Sequence, residues 1–254
     1  MEAKPPSILI TGASSGIGAA LALHYAGPGV VLALSGRDGR RLDEVSAACR
    51  SRGAIVRPRL VDVTDRKATA VWVGESDEAD PLDLVIANAG VSAGTARESE
   101  SEEQVRWIFA VNVDGVLNTV LPVIPRMQAR RRGQLALMSS LASFRGFPGA
   151  PAYSASKAAV RVWGEGLRGD LAGHGIRVSV ICPGFVVSRM TAANDFHMPM
   201  LMAAERAAAI IARGLAADRA RISFPWPMAA GAWLLGALPP GWTDGLLARL
   251  PRKA

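Results

Sequence analysis

The sequence is poor in cysteine and histidine. Its 254 residues include two cysteines, Cys49 and Cys182, which are too few for a disulfide framework or a zinc cage, so a reducing compartment is expected. The three histidines, His24, His174 and His197, show no spacing typical of metal ligands. We therefore expect neither a disulfide nor a metal.

Negative charge is also scarce, because 22 acidic residues face 29 basic ones and leave a net charge of +7. Only four of the basic residues are lysines, and the arginines are dispersed except for one cluster at 130–132. Dispersed arginine is typical of a solvated surface, so no nucleic-acid partner is expected. Attraction to acidic cofactors or to anionic lipid stays open.

No secretory signal is visible, because residues 1–6 are polar and the apolar run 7–10 is too short. Residues 222–243 carry no charge, but prolines leave an uninterrupted helix only from about Met228 to Leu238. That is roughly half of the ~20 residues needed to cross a bilayer. We expect a cytoplasmic protein, with peripheral membrane contact through residues 222–250 left open.

Apolar runs of strand length alternate with periodic, helix-like segments. This alternation predicts a doubly wound parallel sheet with helices on both faces, in one domain over residues 1–254. The predicted strands are 7–10, 30–35, 55–60, 82–87, 134–138 and 177–181. The predicted helices are 19–25, 41–52, 67–74, 102–127 and 154–174.

The first predicted strand runs into a glycine-rich turn at 11–18 that opens the first helix. Gly12 permits a sharp turn, Gly16 lets the backbone approach a pyrophosphate, and Gly18 lets the helix pack close to the sheet. Free N–H groups and the positive end of the helix dipole then face the anion. This placement favours a dinucleotide site over a turn without a ligand.

The end of the second predicted strand indicates which dinucleotide binds. Gly36 stands where an NAD site would carry an acid, and Arg37 follows it. A guanidinium binds a 2′-phosphate bidentately, so NADP(H) is favoured over NAD(H). Arg40 and Arg41 are candidate helpers. Asp38 is an unfavourable neighbour for a phosphate.

Tyr153 and Lys157 are four residues apart, on one face of a predicted helix. A tyrosine with a pKa near 10 is a poor acid–base at neutral pH. A nearby ammonium lowers that pKa, so the pair is a candidate catalytic centre. The alternative is an accidental surface pair.

Further motifs stand in a fixed order along the chain: Asp62-Val63-Thr64 after the third strand, Asn88-Ala89-Gly90 after the fourth, Asn112 inside the next helix, Ser140 thirteen residues before Tyr153, and Pro183-Gly184 after the sixth strand. With the glycine turn, they resemble the compact branch of the short-chain dehydrogenase/reductase family over residues 7 to about 190. Ala87, Ser15 and Ser188 depart from the usual pattern, and Ser15 weakens the NADP(H) prediction because many NADP enzymes carry a basic residue there.

The resemblance implies a Rossmann fold and four catalytic roles. Tyr153 exchanges a proton with the substrate oxygen, Ser140 holds that oxygen, Lys157 lowers the pKa of Tyr153 and binds the nicotinamide ribose, and the backbone carbonyl of Asn112 holds a water in a proton relay. The cofactor residues that it implies are Gly12, Ser14, Ser15, Gly16, Ile17, Gly18, Arg37, Asp62, Val63, Asn88, Ala89, Gly90, Tyr153, Lys157, Pro183, Gly184, Val186 and Ser188.

The function expected from these residues is an NADP(H)-dependent oxidoreductase that transfers hydride between nicotinamide and a carbonyl or secondary alcohol. The alternative is a non-catalytic NADP(H) sensor or interaction protein of the same fold, although such proteins typically lose the Tyr or the Lys. A sugar-nucleotide epimerase and an enoyl reductase fit less well, in glycine spacing and in Tyr–Lys gap respectively. The family also implies a homodimer or homotetramer, packed through 102–127 and 154–174.

Two segments near the C-terminus suggest the substrate. Residues 188–203 are expected to form a small lid, which carries Met198, Met200 and Met202. The apolar segment 222–254 has three interpretations: core or oligomer contact, a lid over a lipophilic substrate, or an interfacial segment at a membrane. A bulky or lipophilic substrate is expected.

Overall fold

The computed structural model describes residues 6–93, 99–194 and 196–248. Seven parallel strands form one sheet in the order β3-β2-β1-β4-β5-β6-β7. The strands are β1 Ser7–Ile10, β2 Val31–Gly36, β3 Ile55–Leu60, β4 Leu84–Ala87, β5 Gly133–Met138, β6 Ile176–Pro183 and β7 Arg221–Phe224. The prediction of a doubly wound parallel sheet in a single domain is confirmed.

Helices connect these strands and follow the last one. They are α1 Gly16–Tyr25, α2 Gly39–Arg50, α3 Arg66–Ala79, α4 Glu102–Phe109, α5 Gly115–Val120, α6 Ile124–Arg130, α7 Pro151–Ala172, α8 Arg189–Ala192, α9 Ala204–Ala216, α10 Trp226–Ala237 and α11 Pro240–Leu247. A π-helical turn, Ala110–Asp114, joins α4 to α5, and a 3₁₀ turn, Leu141–Ser143, follows β5.

Alternate residues of the strands bury themselves in two separate cores, one on each face of the sheet. Ile8 and Leu32 belong to the first core, with Leu21 and Ile211 from α1 and α9. Leu9 belongs to the second core, which α5, α6 and α7 complete. Side chains alternate across a strand, so this division shows that helices cover both faces.

The order of the strands places the site. The chain runs outward from β1 to β3, then returns to pair β4 with the other side of β1. In open parallel sheets the ligand crevice lies at this switch point, beyond the carboxyl ends of the strands. The turns that follow β1 and β4 are therefore neighbours.

The predicted helix 102–127 is wrong as a continuous α-helix. Its residues form α4, the π-helical turn, α5 and the start of α6, and prolines at 122 and 125 accompany the last break. The run Glu102–Arg130 is long and apolar enough to cross a membrane by composition alone. However, Val116, Val120 and Met127 pack in the second core, as expected for a core helix.

The sequence analysis also missed β7 and α9. The strand β7 has only four residues, and its apolar side chains Ile222 and Phe224 alternate with polar ones and complete the first core. Residues 222–224 are therefore sheet core, which corrects the interpretation of 222–254 as one segment. Residues 249–254 lie outside the described part of the chain.

Candidate active site

The turns after β1 and β4 are joined by a network of hydrogen bonds around Thr11. The Thr11 hydroxyl accepts hydrogen bonds from the backbone N–H groups of Asn88 and Ala89, at 3.0 and 3.1 Å. The Asn88 side chain donates to the backbone oxygens of Thr11 and Gly12, at 2.9 and 3.3 Å. This network holds the two turns in one position at the switch point.

Two glycines of the first turn adopt left-handed backbone angles, with φ of +66° at Gly12 and +55° at Gly16. A Cβ at Gly12 would also lie 2.9 Å from the Cα of Ala89, and one at Gly18 would lie 2.3 Å from the oxygen of Gly12. These positions therefore require glycine for conformation or for close packing. The turn leads directly into the N-terminus of α1, so its geometry fits a pyrophosphate.

At the end of β2, Asp38 is occupied by its own helix. Its carboxylate accepts the backbone N–H of Arg41 at 3.0 Å and forms an ion pair with the Arg41 guanidinium at 3.0 Å. The backbone hydrogen bond is the main reason why the pKa of Asp38 is lowered, and the charge of Arg41 adds to it. Asp38 is thus a helix cap whose charge is balanced, and it is a weaker objection to a phosphate than the sequence suggested.

The arginines that follow β2 differ in whether a carboxylate already pairs with them. Arg40 pairs with Glu44 at 2.8 Å, and Arg41 pairs with Asp38. Arg37 is exposed, and among the described residues it has no hydrogen-bond or ion-pair partner. Ser14 lies against Gly36: a Cβ added at Gly36 would be 2.8 Å from the Ser14 hydroxyl oxygen. Arg37 is the guanidinium best able to take an added phosphate.

The predicted adenine-side residues lie beyond β3. The Asp62 carboxylate accepts hydrogen bonds from the backbone and the hydroxyl of Thr64, at 2.9 and 2.8 Å. Val63 is buried against Gly115, because a Cβ added at Gly115 would lie 2.6 Å from a methyl group of Val63. The backbone oxygen of Val63 accepts a hydrogen bond from the Asn118 side chain at 2.9 Å. The turn is fixed, and its contact with adenine stays a prediction.

Asn112 lies inside the π-helical turn and is fully buried. Its amide exchanges two hydrogen bonds with the backbone of Val91, at 2.8 and 2.9 Å, and donates a third to the Ser156 hydroxyl at 3.0 Å. Gly90 packs closely against Asn112 and Lys157: a Cβ added at Gly90 would lie 3.2 Å from Asn112 Oδ1 and 3.1 Å from Lys157 Nζ. Asn112 therefore joins β4, α5 and α7 at the candidate centre, and π-turns are frequent at functional sites.

Ser140 and Tyr153 lie near each other at the candidate centre. The Ser140 hydroxyl accepts the backbone N–H of Ala142 at 3.1 Å. Burial is the largest influence on Tyr153 and raises its pKa, while the nearby Ser140 hydroxyl opposes that rise. The direction is opposite to the lowering that the sequence analysis expected, because desolvation of the phenolate outweighs the stabilising contacts.

Lys157 is a buried cation, with 2% of its surface exposed. Its Nζ donates to the backbone oxygen of Met138 at 2.9 Å and lies 5.9 Å from the centre of the Tyr153 ring. Burial lowers the pKa of Lys157 to about 8. A buried lysine retained beside a tyrosine is costly for folding and is typical of a functional site.

Lys157→Met is expected to stabilise the fold. The pKa of about 8, against 10.5 for an ordinary lysine, means that folding disfavours the ammonium by up to about 3 kcal/mol below pH 8. Loss of the bond to Met138 costs about 1 kcal/mol, which leaves a gain of about 2 kcal/mol in unfolding free energy at neutral pH. Urea denaturation measures this gain.

The pH dependence separates this effect from simple packing. Between pH 8 and 10.5 the unfolded wild-type chain binds the extra proton, so wild-type stability rises with pH and the advantage of the variant shrinks. The control is Lys67→Met, which removes an exposed lysine on α3. A Lys157→Met advantage that is absent, or constant from pH 7 to about 9.5, would contradict the assignment.

Cys182 is a neighbour of the centre that the sequence analysis did not identify. It is fully buried before Pro183 on β6, and its charge state affects both Tyr153 and Lys157. Burial raises the pKa of its thiol, and the nearby Ser139 hydroxyl and the charge of Arg221 oppose the rise. Its position at the carboxyl end of a central strand is the signal that could have found it.

The turn after β6 leads to the predicted lid. A Cβ at Gly16 would lie 3.0 Å from the Cβ of Ser188, which places the start of α8 against the glycine turn. The chain leaves the sheet after Val186 and returns at Met202, where the two residues form a parallel bridge. Pro183 and Gly184 are held beside β7 through Phe224, and Val186 is held by Met202. The described residues 188–194 and 196–201 lie between these anchors, and their closure over substrate stays a prediction.

Two methionines of this excursion have different environments. Met200 is exposed, while Met202 packs in the first core. Met202 is therefore a structural anchor, which corrects its inclusion among the lid residues expected to contact substrate. For the other residues of the predicted lid, contact with substrate stays a prediction.

Comparison with known proteins agrees with this geometry. The family model described as short chain dehydrogenase matches residues 6–198. The chain is a short-chain dehydrogenase/reductase. A protein from Myxococcus xanthus, named only as an oxidoreductase, is 43% identical over 95% of this chain and 96% of its own. An oxidoreductase from Mycobacterium tuberculosis is 36% identical over 93% and 95%.

Solved structures of other short-chain dehydrogenase/reductases superpose over nearly the whole chain. One from Sphingobium yanoikuyae, in complex with NADPH, has a TM-score of 0.80 and 27% identity, covering 97% of this chain and 96% of its own. One from Burkholderia phymatum, in complex with NAD, has a TM-score of 0.83 and 26% identity, covering 100% and 99%. The fold binds a nicotinamide cofactor, and these relatives differ in which one.

Among the described residues, no group of three or more His, Cys, Asp or Glu side chains is arranged to hold a metal. The residues present do fit a dinucleotide. The glycine turn leaves space that a Cβ would fill, Arg37 is free among the described residues to pair with a phosphate, and Lys157 is a buried cation that donates to the backbone oxygen of Met138.

Proposed function

We propose that this short-chain dehydrogenase/reductase is an NADP(H)-dependent enzyme that interconverts a carbonyl and a secondary alcohol. The observation that carries the proposal is the meeting of Ser140, Tyr153 and buried Lys157 beside the glycine turn. Each group has a chemical role in proton transfer to a carbonyl oxygen.

Tyr153 is the proton donor in the reducing direction. Its raised pKa keeps the phenol protonated at neutral pH, as donation to a carbonyl oxygen requires. The Ser140 hydroxyl lies near the phenol and influences its pKa, so the same hydroxyl can hold a substrate oxygen beside Tyr153 and stabilise the charge that develops on it. In the oxidising direction Tyr153 removes the alcohol proton.

Lys157 and Asn112 support this proton transfer. The Lys157 ammonium, one helical turn from Tyr153, favours the phenolate after donation and binds the ribose hydroxyls. Asn112 fixes Val91 and α7 relative to each other, and its backbone carbonyl holds the relay water. The nicotinamide, when bound, supplies or accepts the hydride, and the protein supplies orientation and proton transfer.

NADP(H) is proposed over NAD(H) because of the end of β2. Arg37 is unpaired among the described residues, Gly36 carries no acid, and the charge of Asp38 is balanced by Arg41. A free guanidinium beside an open glycine is suited to a 2′-phosphate.

A bulky or lipophilic substrate is proposed from a cavity of about 400 Å³. It lies between α11 and the loop that separates Ser140 from Tyr153, and its apolar lining includes Phe147, Pro151 and Leu247. This hollow is open to solvent, and Ser140, Tyr153 and Lys157 do not line it, so we propose it for a distal apolar part of the substrate and not for the reacting carbonyl. Arg145, which pairs with Asp244 at 2.7 Å, ties α11 to the loop.

A homodimer or homotetramer is proposed from apolar side chains on the helices that the family uses for assembly. Trp107 and Phe109 on α4 and Val162 on α7 are exposed, and Leu121 between α5 and α6 is exposed as well. Burial of such side chains is a strong driving force for association.

The test of the function is a cofactor-oxidation assay with NADPH and a panel of ketones that spans chain length, steroid, sugar and acyl-thioester classes. We expect turnover with NADPH, highest for bulky apolar ketones, and a rate with NADH at least about tenfold lower at equal concentration. Tight NADPH binding with no turnover on any member of the panel would favour the non-catalytic sensor.

A further inference from the structure

Helix α10 is apolar on every side and yet is not buried. Its twelve residues, WPMAAGAWLLGA, include no charged or hydrogen-bonding side chain except the indoles, and none of them is buried. A helix that is hydrophobic all round normally lies inside a protein core or in contact with lipid. The exposed side of α10 therefore lacks the polar residues that water favours.

Only one face of α10 packs on the protein. Met228, Ala229 and Ala232 contact the small core formed by Leu141, Val180 and Cys182. Trp226 and Trp233 are seven residues apart and so share another face, where they are 76% and 60% exposed. Leu234 beside them is 54% exposed.

Helix α11 likewise has one face that packs on the protein and another that is exposed. Thr243 and Leu247 face inward and are buried, while Trp242 is 78% exposed. The ion pair between Arg145 and Asp244, at 2.7 Å, and a 3.4 Å contact between Arg145 and the Thr243 hydroxyl fix α11 on the loop that separates Ser140 from Tyr153. Trp226, Trp233, Leu234 and Trp242 are called the C-terminal apolar surface below.

The charges around this surface favour one kind of partner. Residues 222–243 carry no charge, the one acid in 222–254 is Asp244, which is paired with Arg145, and the chain continues to Arg249, Arg252 and Lys253. The whole protein has a net charge of +7. A second copy would carry the same net positive charge and be repelled, whereas an anionic bilayer would attract the protein.

We propose that the C-terminal apolar surface docks on anionic phospholipid, with its tryptophans at the level of the headgroups. Tryptophan is the side chain enriched at membrane interfaces, because its ring is apolar and its N–H can remain hydrated. Helix α10 is too short to cross a bilayer, so the contact is peripheral. The proposal does not depend on the reaction that the protein catalyses.

The test is co-sedimentation of the full chain with phosphatidylcholine vesicles and with vesicles containing about one-third phosphatidylglycerol. We expect binding to the anionic vesicles with a blue shift of tryptophan emission, weakened by salt. The variant Trp226→Ser/Trp233→Ser/Trp242→Ser should lose at least about tenfold in partitioning. Val71→Ser, which alters an exposed apolar side chain on α3, outside the proposed oligomer contacts, should bind like the wild type.

Folding of each variant is checked by its NADPH affinity and circular dichroism, and the single variants Trp226→Ser and Trp242→Ser replace the triple variant if it does not fold. Each single variant should bind more weakly than the wild type. Absence of wild-type binding to anionic vesicles, or equal binding by the variants, would overturn the proposal. A third outcome would also overturn it: the wild type does not bind vesicles, and the triple variant loses the oligomeric state of the wild type in size-exclusion chromatography. The surface would then be an interface between copies.

Discussion

Tyr153→Phe is expected to abolish turnover while leaving NADPH binding intact. The variant removes one hydroxyl, the group that lies near Ser140 and is proposed to exchange the proton with substrate. General acid–base catalysis contributes about 10²- to 10⁴-fold, so the rate constant should fall by at least that factor. The ring and its packing remain, and Ser140 keeps its bond from Ala142. Steady-state kinetics and titration of NADPH fluorescence measure the two quantities.

The chain offers a matched control for this variant. Tyr25 is the other of its two tyrosines and packs at the edge of the first core, where burial raises the pKa of its phenol to about 12. Tyr25→Phe removes the same hydroxyl far from Ser140 and should leave turnover unchanged. Wild-type rates in Tyr153→Phe would refute the proton-donor role, and a comparable loss in both variants would indicate a folding effect.

Arg37→Ala is expected to weaken NADPH binding strongly and NADH binding hardly at all. Hydrogen bonds between a guanidinium and a phosphate contribute about 1.5–3 kcal/mol, which corresponds to roughly 10- to 100-fold in the dissociation constant. NADH has no 2′-phosphate, so its affinity should change by less than about twofold. Fluorescence titrations with both dinucleotides give the ratio directly.

Arg40→Ala is the control for the loss of positive charge. Arg40 is exposed three residues further on, and its guanidinium is paired with Glu44 at 2.8 Å. Its removal should change NADPH affinity much less than removal of the unpaired Arg37. An equal effect of Arg37→Ala on NADPH and NADH would overturn the specificity argument and favour a general electrostatic effect.

The locally encoded features were predictable. Six strands, the glycine turn and the Tyr–Lys pair depend on the identity and spacing of residues close together in the chain. The four-residue strand β7 was missed because so short a run carries little pattern. The π-helical turn at Asn112 was missed because residues 102–127 have the periodicity of an unbroken helix, while the amide of Asn112 pairs with Val91 twenty-one residues away.

The sequence by itself determined the doubly wound fold, the family, and which residues are candidates for the site. The tertiary structure decided what their surroundings do to them. Burial, to which residues far apart in the chain contribute, raises the pKa of Tyr153 and lowers that of Lys157. The tertiary structure also leaves three tryptophans of the C-terminal helices exposed. Desolvation depends on all neighbouring atoms in space, so no local pattern of residues could have specified these outcomes.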